Sequence, residues 1–250
     1  MPRVRKPVDA APRHGVARAV SKLGLGSRTQ AARWVAEGRV HVNGKAVSDP
    51  EFPVRVGVDR VEVQGVGDER VERFVLALNK PRGLVTSKRD EQGRETVYEC
   101  LRDPALPWLA PVGRLDKASE GLLLFSNDPA WAARVSGPGG PDKRYHVQVD
   151  GIPDADDLHR LTQGVDVDGE RWRAKSATLL RQGEKNAWLE IVLDEGRNRQ
   201  IRRLLAAQGY GVLRLLRVAI GSLELGRLGK GAWRRLEAAE IAALVPEAGA

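Results

Sequence analysis

The chain has one cysteine, Cys100, in 250 residues. It cannot form an internal disulfide, and such usage fits a reducing cytoplasm. Four scattered histidines and that single thiol show no metal-ligand spacing, so a zinc enzyme is disfavoured. No stretch of about 18 consecutive apolar residues occurs, so no membrane-spanning helix is expected. The first residues, MPRVRKPVDA, are basic, but no apolar segment follows them and a secretory signal is not expected. Disorder is also disfavoured, because 42% hydrophobic and 30% charged residues is an ordinary globular composition. The length suits one large domain or two smaller ones.

The charge is unevenly placed. The net charge is +8, yet residues 1–60 hold twelve Lys and Arg against five Asp and Glu, leaving the other 190 residues nearly neutral. A solvated basic surface would explain this, as would a nucleic-acid-binding module joined to another body.

Residues 1–12 carry prolines and no apolar periodicity, and read as a mobile basic tail. Val16, Ala19, Val20 and Leu23 recur at helical spacing, with Gly24 as a stop. Ser27-Arg28-Thr29-Gln30 fits a capping box for a second helix over about 28–37, ended by Gly38. Val40 and Val42 alternate with polar residues, and Asn43-Gly44 is a hairpin signal. VRVGVDRVEV supplies one or two more strands. The run GLGSRTQAARWVAEGRVHVNGKAV resembles the S-four-type RNA-binding domain over residues 13–65. The resemblance implies recognition of structured RNA by shape and backbone, with Arg18, Lys22, Arg28, Arg33 and Lys45 as the RNA-binding side chains. Gly15 departs from it, standing near the first helix start where the family usually carries a basic residue.

Residues 66–73, glycine-bearing and polar, read as a linker to a body over 74–246. That body opens with FVLALNKPRGLVTS, read as a strand broken at Pro81 and a second strand restarting after Gly83. Its central feature is PVGRLDKASEGLLLFSNDP, in which a polar loop with Arg114, Asp116, Ser119 and Glu120 precedes the apolar run Leu122–Phe125 of a buried strand. On the residues alone, Asp116 either caps a turn and pairs with Arg114 or carries chemistry. The six tryptophans show no regular stacking pattern and are assigned to packing.

GRLDKASEGLLLFSND is similar to the signature loop of the ribosomal pseudouridine synthases, in the branch that joins an S-four-type domain to its catalytic domain. ALNKPRGLVTS, DKRYHVQVDGIP, DEGRNRQIRRLLAAQGYGVLRLLRVAIG and LGKGAWRRL look like further segments of that family, in order. The resemblance implies an α+β catalytic domain with a mixed, mostly antiparallel sheet and a central cleft. It also implies isomerisation of one uridine in ribosomal RNA without a cofactor. Position by position, Asp116 matches the catalytic aspartate and Arg114 an arginine that holds or replaces the flipped nucleotide. Tyr145 matches the tyrosine that stacks on the base, Arg202 the arginine that pairs with the aspartate, and Ile201 an apolar pocket residue. Pro129 stands where the family often has glycine.

Such chemistry passes through a cation-like ribose, which a carboxylate stabilises, attacks or deprotonates; the sequence does not choose among these. The carboxylate is expected to be ionised yet largely shut from water, with Arg202 as its cation. Arg197, Arg199, Arg202, Arg203, Arg214 and Arg217 cluster against only Asp194 and Glu195, and a helix near Arg199 would bury Ile201, Leu204 and Leu205. Its exposed arginines would grip phosphates, with Arg203 equally readable as solvated, and Arg199 and Lys80 are taken as substrate-binding, Lys80 and Arg82 lining the cleft. The expected partner is ribosomal RNA or a pre-ribosomal particle, met by a cytoplasmic monomer, and 23S RNA is preferred to 16S. Two other classes stay open: a non-catalytic ribosome-assembly factor, and a glycoside hydrolase pairing Asp116 with Glu120.

Overall fold

The structure, a computed structural model, describes residues 12–66, 73–88 and 90–245. The basic tail, apart from Pro12, and most of the expected linker lie outside the described residues, as does residue 246 at the far end of the body. The chain divides into two compact units. One is built on residues up to Phe74, with Pro107–Ala110 and Asn127–Ala130; the other takes the remainder.

The first unit runs β1 (Arg13–Gly15), α1 (Val16–Lys22), α2 (Arg28–Ala36), β2 (Val40–Val42), β3 (Lys45–Ala46), β4 (Pro53–Arg55) and β5 (Val61–Val63). The capping box forms: the Gln30 amide N–H donates to Ser27 Oγ at 3.1 Å, and Ser27 N–H donates to Gln30 Oε1 at 3.0 Å. Such a cap is worth about 1 kcal/mol. Asn43 and Gly44 both take positive φ between β2 and β3, as a tight hairpin demands. Val16, Ala19, Val20, Ala31, Trp34, Val35, Val40 and Val63 close the core of this unit. At Gly15 a side chain would crowd Glu51. A Cβ there would lie 2.5 Å from Glu51 Oε2 and 3.0 Å from its Cα.

The second unit, apart from the first residue of β7 and the first two of α3, holds β6 (Val75–Lys80), β7 (Ala110–Val112), β8 (Glu120–Ser126), α3 (Pro129–Ser136), β9 (Lys143–Asp150), α4 (Ala155–Gln163), β10 (Val165–Val167), β11 (Glu170–Trp172), β12 (Ser176–Gln182), β13 (Asn186–Leu193), α5 (Gln200–Ala206), β14 (Val212–Ile220), β15 (Leu223–Glu224), β16 (Trp233–Arg235) and α6 (Ala238–Leu244). One sheet runs in the order β12-β13-β9-β14-β8-β6-β16, with β15 beside β14 and β7 beside β8. β14 pairs with β8 in parallel, whereas β12 with β13, β13 with β9, β9 with β14, β14 with β15, β8 with β6 and β6 with β16 pair antiparallel. The sheet is therefore mixed and mostly antiparallel, as expected. β6 and β8 are buried at every position, which accounts for their unbroken apolar runs. β9 and β13 alternate buried and half-buried residues, so they are covered on one face. Pro129 opens α3, where its missing N–H costs nothing.

The expected second strand after Gly83 does not form; Val85 makes only an isolated bridge to Thr96. The polar groups of this stretch serve the neighbouring loop instead. Gly83 N–H donates to the Lys117 carbonyl at 2.8 Å, and Thr86 Oγ1 donates to the Leu115 carbonyl at 2.7 Å. Gly121 explains how β8 and β14 approach so closely. Its φ is +101°, and a Cβ would fall 2.3 Å from the Arg217 carbonyl oxygen.

Candidate active site

The loop 113–119 joins β7 to β8 and is held from below by a buried lysine. Lys80, at the end of β6, is fully inaccessible. Its Nζ donates to the carbonyls of Ser119 at 2.8 Å, Pro81 at 3.1 Å and Asp116 at 3.2 Å. Burial pushes this ammonium down to about 8, opposed first by the nearby Asp116. Lys80 is thus a brace under the loop, not a substrate ligand lining the cleft, and the expectation for it is corrected. The reason is topological: β6 lies between β8 and β16, and its last side chain turns under the loop that feeds β8.

Above the brace opens a cavity of about 150 Å³. Its lining includes Arg114, Asp116, Tyr145, Arg199, Ile201 and Arg202, so six residues singled out in the sequence meet at one place. Arg114 is exposed and Ile201 is buried. Tyr145 on β9 is buried to 8% exposure, with its side chain on the cavity wall.

The carboxylate differs from expectation in two respects. Its side chain keeps 37% exposure, so it is not shut away from water in this state. Its ion-pair partner is Arg199, whose Nη1 lies 3.5 Å from Asp116 Oδ2. Arg199 caps α5 with φ +52°, a left-handed conformation that few non-glycine residues adopt, and this sends its side chain toward the loop. Arg202 does not make the expected pair. Its Nη1 donates to the Val212 carbonyl at 3.2 Å and its Nη2 to the Ala118 carbonyl at 3.4 Å. It therefore grips the backbone two residues past Asp116. Desolvation lowers its pKa most, with Arg199 acting the same way and Asp116 opposing. Arg114 forms no ion pair with Asp116, so a simple turn-capping pair is absent from the described residues.

The arginine cluster is also redistributed. α5 buries Ile201, Leu204 and Leu205, as its periodicity demands. Arg203 pairs with Asp168 and lies over the Trp172 ring, 4.3 Å from its centroid. Arg197 bridges Glu170 and Glu195, with the same ring 5.0 Å away. Arg214 is held by Glu120, which is buried and also pairs with Lys230. The hydrogen bond from Arg214 depresses the Glu120 pKa, and the residue is not part of the cavity lining. A glycosidase-like pair of Asp116 with Glu120 is not what this geometry offers. Arg217 is buried, not free to grip a phosphate. Ser119, Lys143, Thr86 and Gly83 are parts of the site or its support that sequence reasoning did not assign. Ser119 belongs to the loop itself, whereas only the fold brings Gly83 and Thr86 against the loop and Lys143 to the cavity.

In the first unit Arg18, Lys22, Arg28, Arg33 and Lys45 are all exposed. Three of them surround His14: Lys22 Nζ lies 2.7 Å from its Nε2. Desolvation, then the charges of Lys22, Arg18 and Arg28, lower the His14 pKa. Arg33 is engaged by Glu37 at 3.3 Å, while Lys45 sits in the β2–β3 hairpin, away from α1 and α2 in the chain. No group of three or more metal-ligating side chains occurs among the described residues, and none of their helices is long and apolar enough to cross a membrane.

Comparison with known proteins gives a consistent answer. Residues 74–207 match the model of RNA pseudouridylate synthase, and residues 16–59 match the S4 domain. An RNA pseudouridine synthase of Aquifex aeolicus (strain VF5) is 37% identical over 92% of this chain and 93% of its own. The ribosomal large subunit pseudouridine synthase B of Bacillus subtilis (strain 168) is 35% identical over 89% of this chain and 91% of its own. A crystal structure of a pseudouridylate synthase superposes with a TM-score of 0.65 at 27% identity, covering 94% of this chain and all of that one. With a catalytic domain of that kind behind an S4 domain, the chain belongs to the RNA pseudouridine synthase family.

Proposed function

We propose that the protein isomerises one uridine of large-subunit, 23S ribosomal RNA to pseudouridine, acting as a monomer in the cytoplasm. The observation that carries the reading is the meeting of Asp116, Tyr145, Arg199 and Arg202 around one cavity. The large-subunit choice follows the Bacillus subtilis relative, which shares most of its length with this chain.

In this reading the target uridine turns out of the RNA into the cavity, at a cost of a few kcal/mol. Stacking on Tyr145 returns about 1–3 kcal/mol. Asp116 meets the ribose at its anomeric carbon, where positive charge develops as the bond to the base breaks. Arg199 and Arg202 keep the carboxylate and its loop in place, one through the side chain and one through the Ala118 carbonyl. Ile201 closes the apolar side, and Arg114 holds or replaces the extruded nucleotide. Entry of the RNA would displace the water that now reaches Asp116, strengthening both interactions.

The test is a pseudouridine map of ribosomal RNA from a strain lacking the gene. We expect one 23S position to lose its modification and to regain it with the wild-type gene. A missing 16S position instead would move the substrate to the small subunit. An unchanged map would make the protein a non-catalytic RNA-binding factor.

The S4 domain supplies RNA affinity in this account. Replacing Arg18, Lys22 and Arg28 together by alanine should lower the slope of log affinity against log salt by about 2–3. The single-turnover rate at saturating enzyme should remain that of the wild type. Filter binding at several salt concentrations measures the first and nucleoside analysis the second. An unchanged slope would place the RNA anchor elsewhere.

A further inference from the structure

Three buried polar atoms without a partner line the same cavity: Ser119 Oγ, Arg202 Nε and Arg217 Nη2. Unsatisfied buried groups are rare, and each calls for a cause. Arg217 is 5% exposed, and its Nε donates to the Leu122 carbonyl at 2.6 Å. That bond fixes the guanidinium while leaving Nη2 unpartnered in the cavity wall. Arg217 stands directly opposite Tyr145 in the β14–β9 ladder, where a shift of register follows it. Lys143 lies two residues from Tyr145 on β9, hence on the same sheet face, and is 7% exposed.

Two cations therefore flank the ring expected to stack on the base. Neither forms an ion pair among the described residues, and the cavity lining holds one carboxylate, Asp116, against six arginines and lysines. Desolvation, and then Arg217, lower the Lys143 pKa, with Asp142 and Asp194 opposing. Bringing two like charges together in a buried wall is costly unless an anion joins them. The extent of the site suits a single ring, since a cavity of about 150 Å³ accommodates benzene.

We propose that Arg217 and Lys143 bind the detached uracil as its anion, between its departure from the ribose and its return. The proposal rests on the synthase reading and adds the base half of the site to it. When the bond between N1 and the anomeric carbon breaks, both electrons leave on the base. The resulting negative charge is shared by N1, O2 and O4, which are the atoms two cationic donors can hold. The ribose carbon, made electron-poor, is met by Asp116. The base then turns, and a pair from its conjugated system at C5 forms the new bond to that carbon. C5 loses its proton and N1 gains one, so the net change is one proton moved and one bond exchanged. Ser119 Oγ is placed to donate to a carbonyl of the same ring.

The test uses full-length protein under single-turnover conditions with RNA from the strain lacking the gene. Arg217→Gln and Lys143→Gln should each lower uridine conversion by about 10²–10³-fold, the usual loss for one donor to a developing anion. RNA affinity should be unchanged, and Arg217→Lys should restore part of the rate. The decisive comparison is RNA carrying 5-fluorouridine, whose base leaves more readily as an anion. Consumption of that nucleoside should be impaired much less by either variant than conversion of uridine. Equal deficits on both substrates, or unimpaired uridine conversion, would overturn the proposal. Should Arg217→Gln fail to fold for want of its bond to Leu122, Lys143→Gln carries the test. Wild-type protein is run alongside: if it makes no pseudouridine, the synthase reading fails and takes this one with it, whereas an active wild type isolates the failure to the base half.

Discussion

Asp116→Asn should lower the single-turnover rate by about 10⁴-fold or more, the range seen when an essential member of a catalytic group is removed. It should leave both the fold and the RNA affinity nearly untouched. The structural duties of residue 116 belong to its backbone: its carbonyl accepts from Lys80 Nζ at 3.2 Å and from Ser119 N–H at 2.9 Å. An asparagine keeps both bonds. The side chain itself contributes one ion pair, with Arg199, half exposed on the arginine side. Such a pair is worth about 0–1 kcal/mol, so the thermal midpoint should barely move. Loss of rate without loss of stability or affinity is the signature of a group acting on the ribose. Nucleoside mass spectrometry after a single turnover, with a melting curve and a binding isotherm, makes the comparison. A variant working within about tenfold of the wild type would remove Asp116 from the mechanism.

The features legible in the sequence are those decided within a few residues. The Ser27–Gln30 box, the Asn43-Gly44 hairpin, the LLLF strand and the buried face of α5 each depend on local spacing. The family motif places Asp116 and Tyr145 on one cavity for the same reason: each lies in a short ordered string. The surroundings of Lys80, Glu120 and Arg217 are decided by distant strands and loops, which local spacing does not reveal. Lys80 is covered by a loop some 36 residues later in the chain. Glu120, in a polar run by sequence, opens β8 and meets Arg214 from 94 residues away. Arg217 looks like one more arginine of a basic cluster until the parallel pairing of β14 with β8 buries it. The arginine partner of Asp116 turns on a single dihedral. With Arg199 in the left-handed region, its guanidinium reaches the carboxylate and Arg202 takes the loop backbone. No periodicity announces that conformation.

Lys80→Ala is the second large effect, and it falls on stability before it reaches the chemistry. The change takes the lysine donor from the carbonyls of Pro81, Asp116 and Ser119, of which only that of Asp116 keeps a second partner among the described residues, the Ser119 N–H, and leaves an empty channel where the stem ran. A buried acceptor left without a donor costs about 1–3 kcal/mol and the emptied channel adds a cavity cost, so a loss of about 3–5 kcal/mol is expected. In a body of this size that corresponds to roughly 10 °C in the melting temperature. Activity should fall further than the melting curve alone suggests, because the Asp116 carbonyl is one of the three anchors. Lys80→Met fills the channel but supplies no donor, so it should lie between alanine and wild type in stability. The comparison also carries a pH dependence of known sign. The folded pKa of Lys80 is about 8, against 10.5 for the free side chain, so the unfolded chain binds this proton more tightly. Folding therefore becomes more favourable as pH rises through that window. The methionine variant has no such group. The stability gap between wild type and Lys80→Met should widen from pH 7 to about pH 9–10. Urea melts at the two ends of that range measure it. A gap that stays constant, or narrows, would mean that the ammonium is not held in the desolvated position beneath the loop.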